Sequence, residues 1–274
     1  MPSITFPLEV EETILELLAA DEDDEGHSAL KTCSLVCQAF LPICRKYLFG
    51  SIVINAHNSR SPPFHAFERL LRETPEIADY VRTLEYTFRI GDLTSPSIIR
   101  SIQESLMRIS RLEFLTLRVL CRGRDLFRFD WSNNPIRPAL LHLLHLPTLT
   151  HFMVTGIKDF IISDLIPCVN LKYLEIGNMT MAAENTFPPI LPAHLIQLNE
   201  FVARYRCSGP AIMKLCTVRR PDGQPIIDFG SLSKITLCID YQNEVSQELF
   251  GLCHALTDVD IACKWYLHCN RQDI

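Results

Sequence analysis

The sequence predicts an α/β chain in two parts: a short all-helical module over residues 1–55, then an α/β solenoid over residues 56–274 built on a parallel sheet. Three observations predict it. Apolar residues recur at helical spacing through the first fifty residues. Behind them one pattern, apolar-x-x-apolar-x-apolar, returns seven times with helical segments between. The net charge of −6 belongs wholly to the first part, where nine acids face three bases, while the rest is balanced at 23 of each.

In the first part, Phe6-Pro7-Leu8-Glu9-Val10 opens a helix, with Pro7 at a first helical position and Glu9, Glu11 and Glu12 at the positive end of the helix dipole. Val10, Ile14, Leu17 and Leu18 form an apolar stripe. The helix stops near Ala20, and the acidic run Asp21–Gly26 reads as a solvated loop. Ser28 is the expected cap of a second helix carrying Leu30, Cys33, Val36, Cys37 and Phe40. Leu41-Pro42 breaks the pattern; a third helix runs from Ile43 to Leu48, and Ser51–Ile54 is a strand. Three short helices in about 45 residues bury little area by themselves, so such a unit leans on a partner.

Residues 55–63 are polar and Pro-rich, a joint. The repeated pattern follows: Val81-x-x-Leu84-x-Tyr86, Leu112-x-x-Leu115-x-Leu117, Leu149-x-x-Phe152-x-Val154, Leu171-x-x-Leu174-x-Ile176, Leu198-x-x-Phe201-x-Ala203, Leu232-x-x-Ile235-x-Leu237 and Leu256-x-x-Val259-x-Ile261. Successive starts lie 31, 37, 22, 27, 34 and 24 residues apart. The alternating tail of each unit reads as a short strand. Helices are expected over Phe64–Leu71, from Pro96 through Ile109 and over Asn243–Cys253. Pleat alternation then turns outward the residues between the apolar ones. Thr116, Arg118, Met153, Glu175, Arg204, Thr236 and Asp260 are the candidate substrate-binding residues, with Glu85 and Thr87 beside them.

Chemistry is sparse. Ten glycines form no phosphate-cradling motif, and no nucleophile elbow or H-E-x-x-H occurs. His142, His145 and His151, and the group Cys253, His254, Cys263, His268 and Cys269, match no common zinc spacing. Eleven cysteines without a C-x-x-C read as reduced thiols of a cytoplasmic or nuclear protein. No signal peptide and no apolar run of about 18 residues is visible, and no basic footprint suggests nucleic acid. The expectation is therefore a non-catalytic protein with no cofactor and no metal, bound neither to membrane nor to nucleic acid.

The order Pro7-Leu8-Glu9-Val10, Ile14-Leu15, Leu30, Cys33-Ser34-Leu35-Val36-Cys37-Gln38-Ala39-Phe40 and Leu48-Phe49 resembles an F-box over about residues 5–50. The repeated units resemble the divergent leucine-rich repeats that commonly follow an F-box in fungi. The resemblance implies an N-terminal F-box and a leucine-rich-repeat-like, right-handed α/β solenoid with a parallel concave sheet, about seven irregular repeats long. It also implies a function: substrate recruitment to an SCF-type cullin–RING ubiquitin ligase. Pro7, Leu8, Val10, Ile14, Leu17, Leu30 and Val36 would meet the ligase's adaptor subunit, and the repeats an unknown substrate protein. The alternative is a leucine-rich-repeat scaffold not engaged with a ubiquitin ligase.

Overall fold

The computed structural model describes residues 8–20, 24–36, 38–55, 63–89, 95–120, 129–183, 187–204, 209–239 and 247–263. Three helices come first: α1 (Leu8–Ala20), α2 (Asp24–Val36) and α3 (Phe40–Leu48). The second helix starts at Asp24, inside the run expected to be a loop; an acid such as Glu25 in a first turn is stabilised by the helix dipole. Ser28 is thus a helical residue and not a cap. The third begins at Phe40, and Pro42 sits in its first turn, where no intrahelical N–H is needed. Leu15, Leu30 and Cys44 form the buried centre of the module, with Leu18, Ala19, Cys33, Phe40 and Ile43 packed round them.

The rest alternates strands with helices and short 3-10 turns. β1 (Ser51–Asn55), α4 (Pro63–Glu73), β2 (Thr83–Arg89), α5 (Pro96–Leu106), β3 (Phe114–Leu120), α6 (Arg137–Leu144), β4 (His151–Thr155) and β5 (Tyr173–Gly177) come first. Then follow β6 (Ile196–Gln197), β7 (Glu200–Ala203), α7 (Gly209–Thr217), β8 (Ile227–Asp228), β9 (Lys234–Ile239), α8 (Gln247–Leu252) and β10 (Asp258–Cys263). Eight strands make one sheet in the order β1-β2-β3-β4-β5-β7-β9-β10, and every neighbouring pair is parallel. β6 and β8 pair separately. All seven sequence units thus supply a strand to this sheet. The strand expected at Ser51–Ile54 is β1; Phe49-x-x-Ile52-x-Ile54 is an eighth match to the pattern, and β1 pairs with β2 and so opens the sheet although it falls within residues 1–55.

One hydrogen-bond arrangement recurs at the entrance of each strand of the large sheet after β1. The carbonyl of Gly50 accepts the N–H groups of Arg82 and Thr83, that of Arg82 accepts Glu113 and Phe114, and that of Glu113 accepts Thr150 and His151. Thr150, Lys172, Asn199 and Ser233 continue it, to Thr257 and Asp258 at the far edge. The bonds span 2.7–3.1 Å. The back of the sheet is less regular than the front. Between β4 and β5 the spacing of 22 residues leaves room only for a 3-10 turn, Ile162–Leu165. In place of an α-helix, parallel bridges Asp130–Lys158 and Phe160–Met181 stack extended backbone there.

The core lies on one sheet face. Leu84, Leu115, Phe152, Leu174, Phe201 and Ile235 stand opposite one another in register, and Tyr86, Leu117, Val154, Ile176, Ala203 and Leu237 form a second row two residues on. Leu71, Ile102, Leu106, Leu140, Leu143, Leu215 and Leu249 from the helices join the same cluster. α5 is shorter than expected, ending at Leu106, but Ile109 is buried. No described helix is long and apolar enough to cross a membrane. The alternation predicts unequal mutational costs. Phe152→Ala, fully buried, is expected to cost about 3–5 kcal/mol in a denaturant titration, and Met153→Ala on the opposite face less than about 1.5 kcal/mol. Equal losses would contradict the assigned faces.

Candidate interaction surfaces

The second face of the sheet carries three rows of side chains. The first row reads Thr83, Phe114, His151, Tyr173, Glu200, Lys234 and Asp258. The second contains Glu85, Thr116, Met153, Glu175, Val202, Thr236 and Asp260. In the third, Thr87 faces Arg118 and Arg118 faces Thr155, and Arg204 follows at the end of β7. The seven candidate substrate-binding residues therefore share one face, brought there by the period of two.

Exposure on this face is uneven. Arg118 and Asp260 are exposed, while Thr116, Met153 and Thr236 are half-buried. Glu175, expected at the surface, is only 4% exposed. Its carboxylate accepts the Tyr173 hydroxyl at 2.6 Å and is gripped by Arg204 through Nε at 2.9 Å and a second guanidinium nitrogen at 3.2 Å. The buried charge is thus compensated by a fork-shaped ion pair, and Arg204 is the member that meets solvent. Thr87 is likewise buried, at 4%. Gly177 permits this packing: a Cβ there would stand 3.1 Å from both the Arg204 Cβ and the Thr155 Cγ2.

Sequence reasoning missed the first row. Phe114 stacks on His151 at 4.1 Å between centroids, and His151 on Tyr173 at 5.4 Å. The signal was present, since an aromatic or imidazole ring stands just before the second apolar residue in three consecutive units. Phe114 remains 39% exposed, so the ladder offers ring edges to solvent.

A second surface belongs to the helical module. Val10, Ile14 and Leu17 follow one line on α1 and are 41, 51 and 69% exposed. Leu35 and Val36, at the end of α2, are more exposed still. Leu30 does not belong to this surface: it is 3% exposed and packs in the module's centre, a correction to its expected adaptor role. Helical periodicity marked α2 as amphipathic without telling which apolar residues turn inward. The side chain of Leu8 and the whole of Pro7 lie outside the described residues, as does Cys37. α1 is tied to α3 by Tyr47, whose hydroxyl donates to Glu16 at 2.8 Å.

Burial pushes the Cys168 thiol up and the Cys216 thiol up to about 12, so neither supplies a thiolate near neutrality. The imidazole of His142 bonds to the Ile109 carbonyl at 3.0 Å, and that of His145 to the Asp164 carbonyl at 2.9 Å. Asp164 is the hub of a buried polar knot at the back, accepting Trp131 Nε1 at 2.6 Å and Arg137 at 2.8 Å. Among the described residues no group of three or more His, Cys, Asp or Glu is disposed to hold a metal ion. A cleft of about 360 Å³ beside β1 is lined by Phe49, Ile52, Phe67 and Leu70 among others. The chain matches no protein-family model and no curated protein.

His151 gives the open face a pH signature. Burial lowers its pKa below the ordinary 6.5, against the opposing fields of Glu200 and Glu113. The folded chain therefore binds fewer protons here than the unfolded chain, so this contribution is present above about pH 6.5 and is lost as pH falls through the folded value. His151→Phe keeps the stacking ring and removes the titration. Its melting temperature is expected to fall less than that of the wild type between about pH 7.5 and pH 5; equal falls would assign His151 no part.

Proposed function

We propose that this protein recruits a substrate protein to an SCF-type ubiquitin ligase. The helical module acts as an F-box that docks the ligase's adaptor subunit, and the body is a leucine-rich-repeat-like solenoid that holds the substrate. The observation that carries the reading is the exposed stripe Val10, Ile14 and Leu17 on a module whose buried centre, among the described residues, is Leu15, Leu30 and Cys44. A monomer gains nothing by leaving such a line in water, and contiguous apolar surface on a small unit marks a binding site. Its position supports the same reading, because the resemblance to an F-box covers these helices and they stand directly before the sheet. The solenoid reading is supported by the strictly sequential, all-parallel strand order and by the seven shared carbonyls, each joining one unit to the next.

In this role the chain contributes no reacting group. It raises effective concentration: a substrate held on one end and a ligase on the other meet as though joined by a linker. Burial of each apolar anchor is worth roughly 1.5–3 kcal/mol. Ile14→Asp with Leu17→Asp is therefore expected to weaken adaptor binding by several decades while the thermal unfolding of the repeat body is unchanged. Co-expression with a cullin–RING adaptor subunit and recovery of the complex by size exclusion reads this out. A wild-type chain that fails to co-elute would favour the scaffold not engaged with a ligase, and a double variant that co-elutes normally would move the docking site off α1.

A further inference from the structure

The open face is asymmetric in charge as well as in shape. Each described cation on it is already matched: Arg118 to Glu85 at 3.1 Å, Arg204 to Glu175 at 2.9 Å and Lys234 to Glu200 at 3.0 Å. Asp258 and Asp260 on β10 remain, both exposed, and neither has an ion pair of its own among the described residues. Lys234 is held above the ordinary ammonium range chiefly by Glu200, with Asp258 and Asp260 adding to it. One ammonium thus serves three carboxylates at this end of the face. At the other end of the same row stands the aromatic ladder Phe114–His151–Tyr173.

We propose that this face takes an extended basic segment of the recruited protein, in which an aromatic or long apolar side chain and a lysine or arginine lie about four residues apart. The proposal rests on the reading of the body as the substrate-holding unit. The spacing comes from the sheet. Tyr173 on β5 and Asp258 on β10 are three strands apart in one row. At about 4.8 Å per strand the gap is roughly 14 Å, and an extended chain covers about 3.3–3.6 Å per residue. A segment crossing the strands therefore sets one side chain against the ladder and places its cation by the two free carboxylates four residues on. The sign comes from the surplus: unmatched carboxylates favour a cation and repel phosphate, which selects a polypeptide over a nucleic acid or an anionic lipid.

The test is a display selection of random 12-residue peptides on the purified full chain, with fluorescence anisotropy on the peptides recovered. Enrichment of sequences with Lys or Arg about four residues from an aromatic or long apolar residue is expected. Their affinity should fall about tenfold on Asp258→Asn with Asp260→Asn, and several-fold between about 50 and 300 mM NaCl. Tyr173→Leu removes the ring from which the four-residue spacing is measured and is expected to weaken the same peptides, and it probes the face from its other end should the double variant melt early. Recovery of acidic or uncharged peptides, no enrichment at all, or affinities unchanged in both variants would overturn the proposal. Adaptor capture is measured on the same variants. Its loss in the wild type with peptide selection intact refutes the ligase reading alone, and its retention with peptide selection absent refutes this inference alone.

Discussion

The architecture hangs on a main-chain carbonyl that accepts two N–H groups at the entrance of each strand of the large sheet after β1. That fork sets where each strand begins relative to its predecessor, and everything downstream follows from the setting. Once the entrances are level, equivalent residues stand side by side along the whole sheet. The pleat then sends one set of side chains into the core and the alternate set to the opposite face. A slip by one residue at any entrance would exchange the two sets, placing Leu84, Phe152 or Phe201 in water and Glu175 or Arg118 among the helices. Register is therefore strongly specified, even though the segments behind the sheet vary between an α-helix, a 3-10 turn and stacked extended backbone.

This division explains what could be read from the sequence. The strands were legible because each leaves an apolar-x-x-apolar-x-apolar trace whose first apolar residue packs just before the fork. The outward set was legible for the same reason. β1 was legible as a strand, but the polar, Pro-rich stretch after it set it apart from the repeated units, although Phe49, Ile52 and Ile54 match their pattern. The exposure of individual residues was not legible. Glu175 is buried by Arg204, 29 residues later in the chain, and no local rule names that partner. Leu30 and Val36 both sit at helical spacing on α2, yet one is in the module's centre and the other in solvent. Only the placement of α1 and α3 decides between them.

The two surfaces differ in physical character. The stripe on α1 is apolar, and its affinity for any partner would come from area removed from water. The open sheet face is wet and ion-paired, with an aromatic ladder on one side and, on the other, carboxylates that have no ion pair of their own among the described residues. Exposed pairs such as Arg118–Glu85 contribute little stability, typically no more than about 1 kcal/mol each. They govern which partner is tolerated more than how tightly it is held.

The forks also leave a mark on which substitutions the chain can accept. Each needs two consecutive N–H groups, two in each of seven stacks, fourteen residues in all. The residues at these sites are chemically unrelated, among them Arg82, Glu113, His151, Lys172, Asn199 and Ser233, because the main chain makes both bonds of the fork; Thr150, Ser233 and Thr257 add a hydroxyl bond to the same carbonyl. Proline, lacking the N–H, is the residue excluded. The chain has 17 prolines, several within a few residues of a strand, and none occupies a donor position. In evolutionary terms these sites are open to almost any amino acid yet closed to one imino acid. A lineage of this protein would drift freely in composition along its strand entrances while keeping a silent, regularly stacked ban on proline.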